Sequence, residues 1–187
     1  MHPPGKAIAL IACLAIASLL SGCSNTYTIE RLPLETSNAE AGAALPPLTS
    51  GDPVLVSEPA DGRYGSRTYV GSGIMVQLAV VSCLEENGLD AVAKAAGNGS
   101  GATTNGWRVV PTILGWEDRA TEWSGLPDRI KIELRTIDPA GRPRDATIIS
   151  GSSKWATLGG DHPQDMLAPA LAPWASELLK SLAPPNK

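Results

Sequence analysis

Residues 128–137 carry the clearest periodicity in the chain: Ile130, Ile132 and Leu134 are separated by Lys131, Glu133 and Arg135. Successive side chains of a strand point to opposite faces, so this alternation demands a sheet with one buried and one wet face. The rest of the chain must then supply a layer to cover the apolar face. Asp138-Pro139-Ala140-Gly141 has the chemistry of a turn, and residues 146–151 return as the partner strand of an antiparallel hairpin. Shorter apolar runs at 54–56 and 108–114 read as further strands, and residues 91–96 as a poor one.

Helical spacing occurs twice. Ser66 can cap a helix running to about residue 86, in which Val70, Ile74, Leu78 and Val81 recur every three or four residues and Asn87-Gly88 supplies the stop. Near the C-terminus, Leu167, Leu171, Trp174, Leu178 and Leu182 form a second apolar stripe, entered through Asp161-His162-Pro163. Pro169 and Pro173 interrupt it. An interior proline costs about 3 kcal/mol, so the main helix is expected to begin near Pro169. The order of elements implies an α+β fold: a single domain with a mainly antiparallel sheet and two helices packed on one face.

Ahead of the domain, Lys6 and the amino terminus make a weakly basic start, and residues 7–20 are uncharged. That run falls short of the about 20 apolar residues needed to span a bilayer and fits a signal segment. It ends Leu20-Ser21-Gly22-Cys23, which resembles the lipobox of bacterial lipoproteins. The resemblance implies cleavage before Cys23, a diacylglyceryl group on its sulfur and acylation of the new amino terminus. Acyl chains contribute about 0.8 kcal/mol per buried CH₂, so three of them would hold the protein permanently. Ser24 in place of Asp implies, by the family's sorting pattern, the outer membrane, with the domain facing the periplasm. The expected organisation is a signal peptide at 1–22, lipidated Cys23 and a tether at 23–53, and a globular domain at 54–187. Thirty flexible residues reach about 30 Å, less if residues 27–34 pack on the domain as a short strand.

Composition narrows the partners. Residues 23–187 keep all 19 acidic groups and all but one of the 15 basic ones, with no basic cluster, which counts against nucleic acid and anionic headgroups. Of the three cysteines, Cys13 leaves with the signal and Cys23 takes lipid, so Cys83 stands alone in an apolar helical run, where a buried, inert thiol is expected. No cofactor is expected, and His and Cys alone cannot build a metal site of ordinary ligand count. The glycine-rich stretch from Gly97 to Gly106 lacks the residues of a phosphate cradle and reads as a linker.

Two segments concentrate chemistry. The first, residues 116–125, packs Trp116, Glu117, Asp118, Arg119, Glu122 and Trp123 into one expected loop. Indoles beside carboxylates suit a recognition surface for glycan or peptide. The plainer alternative is a structured connector in which Arg119 pairs with a neighbouring carboxylate and the tryptophans cover the end of the sheet. The second, residues 153–164, contains Trp155, Asp161 and His162. His162 brings an imidazole, a side-chain type used in proton transfer, but no nucleophile elbow accompanies it, which favours a structural histidine at a helix entry.

These two segments, with Pro127-Asp128-Arg129 and residues 61–66, resemble a family of small Gram-negative lipoproteins known as domain of unknown function 4823. The resemblance spans most of residues 54–182 and implies no activity. The functional expectation is therefore a non-enzymatic envelope module that docks a protein or peptidoglycan partner through the two loops. The rival classes are a cell-wall glycan hydrolase using two of Glu117, Asp118, Glu122 and Asp128, whose carboxyls would stand about 5 to 9.5 Å apart, and a structural spacer.

Overall fold

The computed structural model describes residues 24–34, 47–49, 51–94, 106–119, 126–154 and 162–182. The lipobox with Cys23 and the glycine-rich residues 97–105 lie outside them. Among the described residues eight strands form: β1 (Thr26–Arg31), β2 (Pro53–Ser57), β3 (Arg63–Tyr64), β4 (Arg67–Thr68), β5 (Asp90–Lys94), β6 (Trp107–Glu117), β7 (Arg129–Ile137) and β8 (Pro143–Ser152). Two α-helices among these residues join them, α1 (Ser72–Glu86) and α2 (Leu167–Leu182). Among the described residues no helix is long and apolar enough to cross a membrane.

Six strands make one mixed sheet in the order β1-β8-β7-β6-β2-β5, and β3 pairs with β4 in a separate small hairpin. From β1 through β8 and β7 to β6 the strands pair antiparallel, while β2 is parallel to both β6 and β5. Both helices lie on one face, α1 over β2 and β5 and α2 over β8 and β1, and they touch each other. The α+β fold expected from the sequence is thus present.

The alternation of β7 is used as anticipated. Ile130, Ile132 and Leu134 are buried under the helices, while Lys131 and Arg135 face water. At the turn, the buried Asp138 carboxylate accepts the Ala140 and Arg142 N–H groups at 2.9 Å each and the Arg142 Nε–H at 2.8 Å. Burial raises its pKa, but these donors outweigh burial and hold it below the usual carboxylate range. The strand anticipated within residues 27–34 forms as β1 and pairs along β8 from Thr26↔Ser152 to Arg31↔Thr147.

The first helix departs from expectation in both start and orientation. Residues 63–68 are spent on the β3–β4 hairpin, so α1 begins at Ser72, where the Asp61 carboxylate accepts the Gly73 N–H at 2.9 Å. Val76, Val80, Cys83 and Leu84 point into the core. Val70, Ile74 and Leu78, the expected inner stripe, are exposed, and Val81 is half-buried. The segment is apolar around most of its circumference, so spacing alone could not choose a face. The choice is made where Gly73 presses against Pro59, since a Cβ there would stand 2.3 Å from the Pro59 carbonyl oxygen. The stop at Asn87-Gly88 holds: the Gly88 N–H donates to Glu85 O and the Leu89 N–H to Leu84 O, with Gly88 at φ 85°. Burial, and then the Glu86 charge, push the Cys83 thiol up to about 11, so it is the inert core residue expected.

All five stripe residues of α2 are buried. The helix follows a 3₁₀ turn, Pro163–Met166, and starts at Leu167 instead of Pro169. Pro169 is tolerated in the first turn, where N–H groups have no partner within the helix, and Pro173 is carried inside it.

Candidate functional site

The site is assembled where β6 ends and β7 begins. β6 runs further than expected, through Glu117, with a register shift between Ile113 and Gly115. Without that bulge, the inward alternation of Trp107, Val109 and Pro111 would turn Gly115 inward and Trp116 outward. With it, Trp116 is only 2% exposed and joins the core. The expectation of Trp116 as a contact residue on a loop is corrected accordingly: it is a core residue on a strand. Glu117 also belongs to β6, where its carboxylate holds the Arg119 guanidinium at 2.5 Å. That guanidinium lies 5.4 Å from the Tyr64 ring centroid. Arg119 is thus engaged by its own connector. Glu122, Trp123, Trp155 and Asp161 lie outside the described residues.

Asp128, immediately before β7, is fully buried. Its N–H donates to Ser153 Oγ at 2.9 Å, and its carbonyl accepts the Ser153 N–H at 2.9 Å. Its carboxylate Oδ1 accepts the Arg119 N–H at 2.7 Å, whereas Oδ2 is buried with no hydrogen-bond partner. His162 enters from the 3₁₀ turn, fixed by its own N–H donating to Asp165 Oδ2 at 3.0 Å. Its Nδ1 stands 3.4 Å from Asp118 Oδ1 and 3.9 Å from Asp128 Oδ2. The Tyr69 hydroxyl donates to the Asp118 carbonyl at 2.9 Å and pins that backbone. Burial pushes the Asp128 pKa up and the Asp118 charge adds to this, against the Arg119 N–H, His162 and the Arg119 charge, leaving it raised.

The structure therefore brings Asp118, Asp128 and His162 together from three separate segments, while Glu117 is turned to Arg119. Such a group can exchange protons or hold a cation. Asp118 also lines a cavity of about 310 Å³ with Arg67, Tyr69, Met75, Trp116 and Gln164. Reading the sequence missed Ser153 as the support of Asp128 and Tyr69 as the support of Asp118. One signal was available in principle: with Glu117 opposite Arg129, the next pair outward along the two strands is 118 and 128.

Comparisons with known proteins add a family and a fold. No curated protein matches the chain. Two crystal structures of the PelC dodecamer from Paraburkholderia phytofirmans share the fold, each with a TM-score of 0.58 and 14% identity over 85% of this chain; the match covers 100% of one PelC chain and 99% of the other. Protein XCC0632 from Xanthomonas campestris, of family DUF330, matches at a TM-score of 0.44 and 14% identity, covering 75% of this chain and 88% of that one. The family profile named "Domain of unknown function (DUF4823)" matches residues 47–178, and the chain belongs to that family.

Proposed function

We propose that this protein is a non-enzymatic envelope lipoprotein, anchored at the outer membrane through lipid on Cys23, whose domain docks a partner protein through the outer face of α1. One observation carries the docking role: Ile74, Met75 and Leu78 are 47%, 46% and 53% exposed on a helix whose opposite side is already committed to the core, and Val70, just before that helix, is 88% exposed. A helix that is apolar all round normally lies buried, and contiguous exposed apolar surface marks interaction sites. This exposure supports a contact surface on α1, whereas the sequence pointed to the two loops. The lipobox Leu20-Ser21-Gly22-Cys23 supports the anchor. PelC, of the same fold, forms a dodecamer, which makes a second copy of this chain the first partner to test.

A photo-crosslinking residue at Leu78 in intact cells is expected to give discrete protein adducts, absent when it is placed at exposed Lys180 on α2. Ile74→Asp should abolish those adducts while leaving the melting temperature within a few degrees. Absence of Leu78 adducts, or adducts equal to those at Lys180, would refute the docking role. Sedimentation with purified sacculi separates the peptidoglycan alternative, and the intact mass of the membrane-extracted protein should show Cys23 as the first residue, carrying acyl chains.

A further inference from the structure

We propose that Asp118, Asp128 and His162 form a binding site for one divalent transition-metal ion of the zinc type. Their ligand atoms all lie within 4.8 Å of one another. Donors bound tetrahedrally to one zinc at about 2.0–2.2 Å stand roughly 3.3–3.6 Å apart. The His162 Nδ1 distances of 3.4 Å to Asp118 and 3.9 Å to Asp128 need little adjustment to meet that value. The second observation is Asp128 Oδ2. It belongs to a residue with no exposed surface, has no hydrogen-bond partner, and is the oxygen facing His162. Burying an unpaired carboxylate oxygen is costly, and a cation removes the cost.

The surroundings are arranged as they are around ligands. Asp128 Oδ1 is held by the Arg119 N–H, its backbone is held on both sides by Ser153, and the Asp118 backbone is held by Tyr69. The Arg119 guanidinium is ion-paired to Glu117, so its charge offsets the two carboxylates only in part. Two carboxylates and an imidazole favour zinc or manganese over calcium, which prefers six or more oxygens. A fourth ligand can come from water or from a molecule in the cavity that Asp118 lines.

The test is calorimetric titration of the detergent-solubilised full chain with zinc chloride, with magnesium as control. With His2 removed by the proposed cleavage, or replaced by Gln where the chain is uncleaved, His162 is the one imidazole, so its ring resonances can be followed at the same time. The expected result is one zinc per chain, a saturable shift of the His162 ring, and no response to magnesium. His162→Gln, a change at a half-exposed position, and Asp118→Asn should each weaken binding by about tenfold or more, the scale of losses at such sites. Asp128→Asn should do the same while its circular dichroism stays that of the wild type. Zinc binding unchanged in His162→Gln would overturn the site. So would no saturable binding, the result expected if His162 serves only as a polar neighbour of the two carboxylates.

Discussion

At the scale of single residues, the site depends on a side chain that supplies none of its polar groups. Trp116 fills the space left by Gly62, where a Cβ would stand 2.5 Å from the Trp116 Cβ, and its position fixes where the chain leaves β6 for Asp118. Trp116→Ala should cost about 3–5 kcal/mol, read from urea denaturation, as expected for a large buried aromatic. A loss below about 1 kcal/mol would return Trp116 to the surface role suggested by its neighbours in sequence. Asp61 makes a prediction in pH. The Gly73 N–H is the largest influence on its carboxyl, and the net effect lowers its pKa from 3.8. A depressed carboxyl stabilises the fold above its unfolded value, and that contribution is lost as pH falls through the lower folded value. Asp61→Asn removes the titration, so wild type should lose stability more steeply than the variant as acid is added below about pH 4. Parallel acid-unfolding curves would show that Asp61 contributes nothing through its charge.

At the scale of elements, local pattern and tertiary choice separate cleanly. The β7–β8 hairpin was legible because its information is local: the alternation of Ile130, Ile132 and Leu134, and a turn closed by Asp138 upon its own neighbours. The stripe of α2 was legible because its large apolar residues lie on one side, with only alanine, proline and polar residues fully exposed opposite. In α1 the apolar residues encircle the helix, and only the packing of Gly73 on Pro59 decides which go inside. The inward turn of Trp116 was hidden for a similar reason, since a bulge is an extra residue that leaves no periodic mark. The two prolines of α2 also differ by place. Pro173 lies inside the helix and is exposed, so Pro173→Ala restores a backbone donor and removes the clash with the preceding turn. It should raise the melting temperature by several degrees, whereas Pro169→Ala should change it little; equal shifts would contradict this account.

At the scale of the whole molecule, the sheet joins distant parts of the chain, and this was beyond the reach of sequence reading. β2, α1 and β5 form a parallel crossover, and β6 then returns to the other side of β2, so the order β6-β2-β5 comes from pairings that local alternation does not encode. The carboxylate–histidine group is equally long-range: its members come from the end of β6, the start of β7 and the turn before α2. The opposite edge is closed by β1, from the segment read as a tether. Deleting residues 24–34 should expose the edge of β8 and lower the urea midpoint markedly, with aggregation on storage; an unchanged midpoint would mean that β1 adds nothing to the fold. The same strand fixes a direction. Thr26 pairs with Ser152, which pairs with Arg129, which pairs with Glu117, and Asn25 Oδ1 accepts the Lys154 N–H at 2.9 Å. Cys23 stands three residues before Thr26, a span of about 10 Å at full extension. If Cys23 carries the proposed lipid, the leash between that lipid and β1 is short, and the end of the sheet nearest to it is the one that carries Asp118, Asp128 and His162.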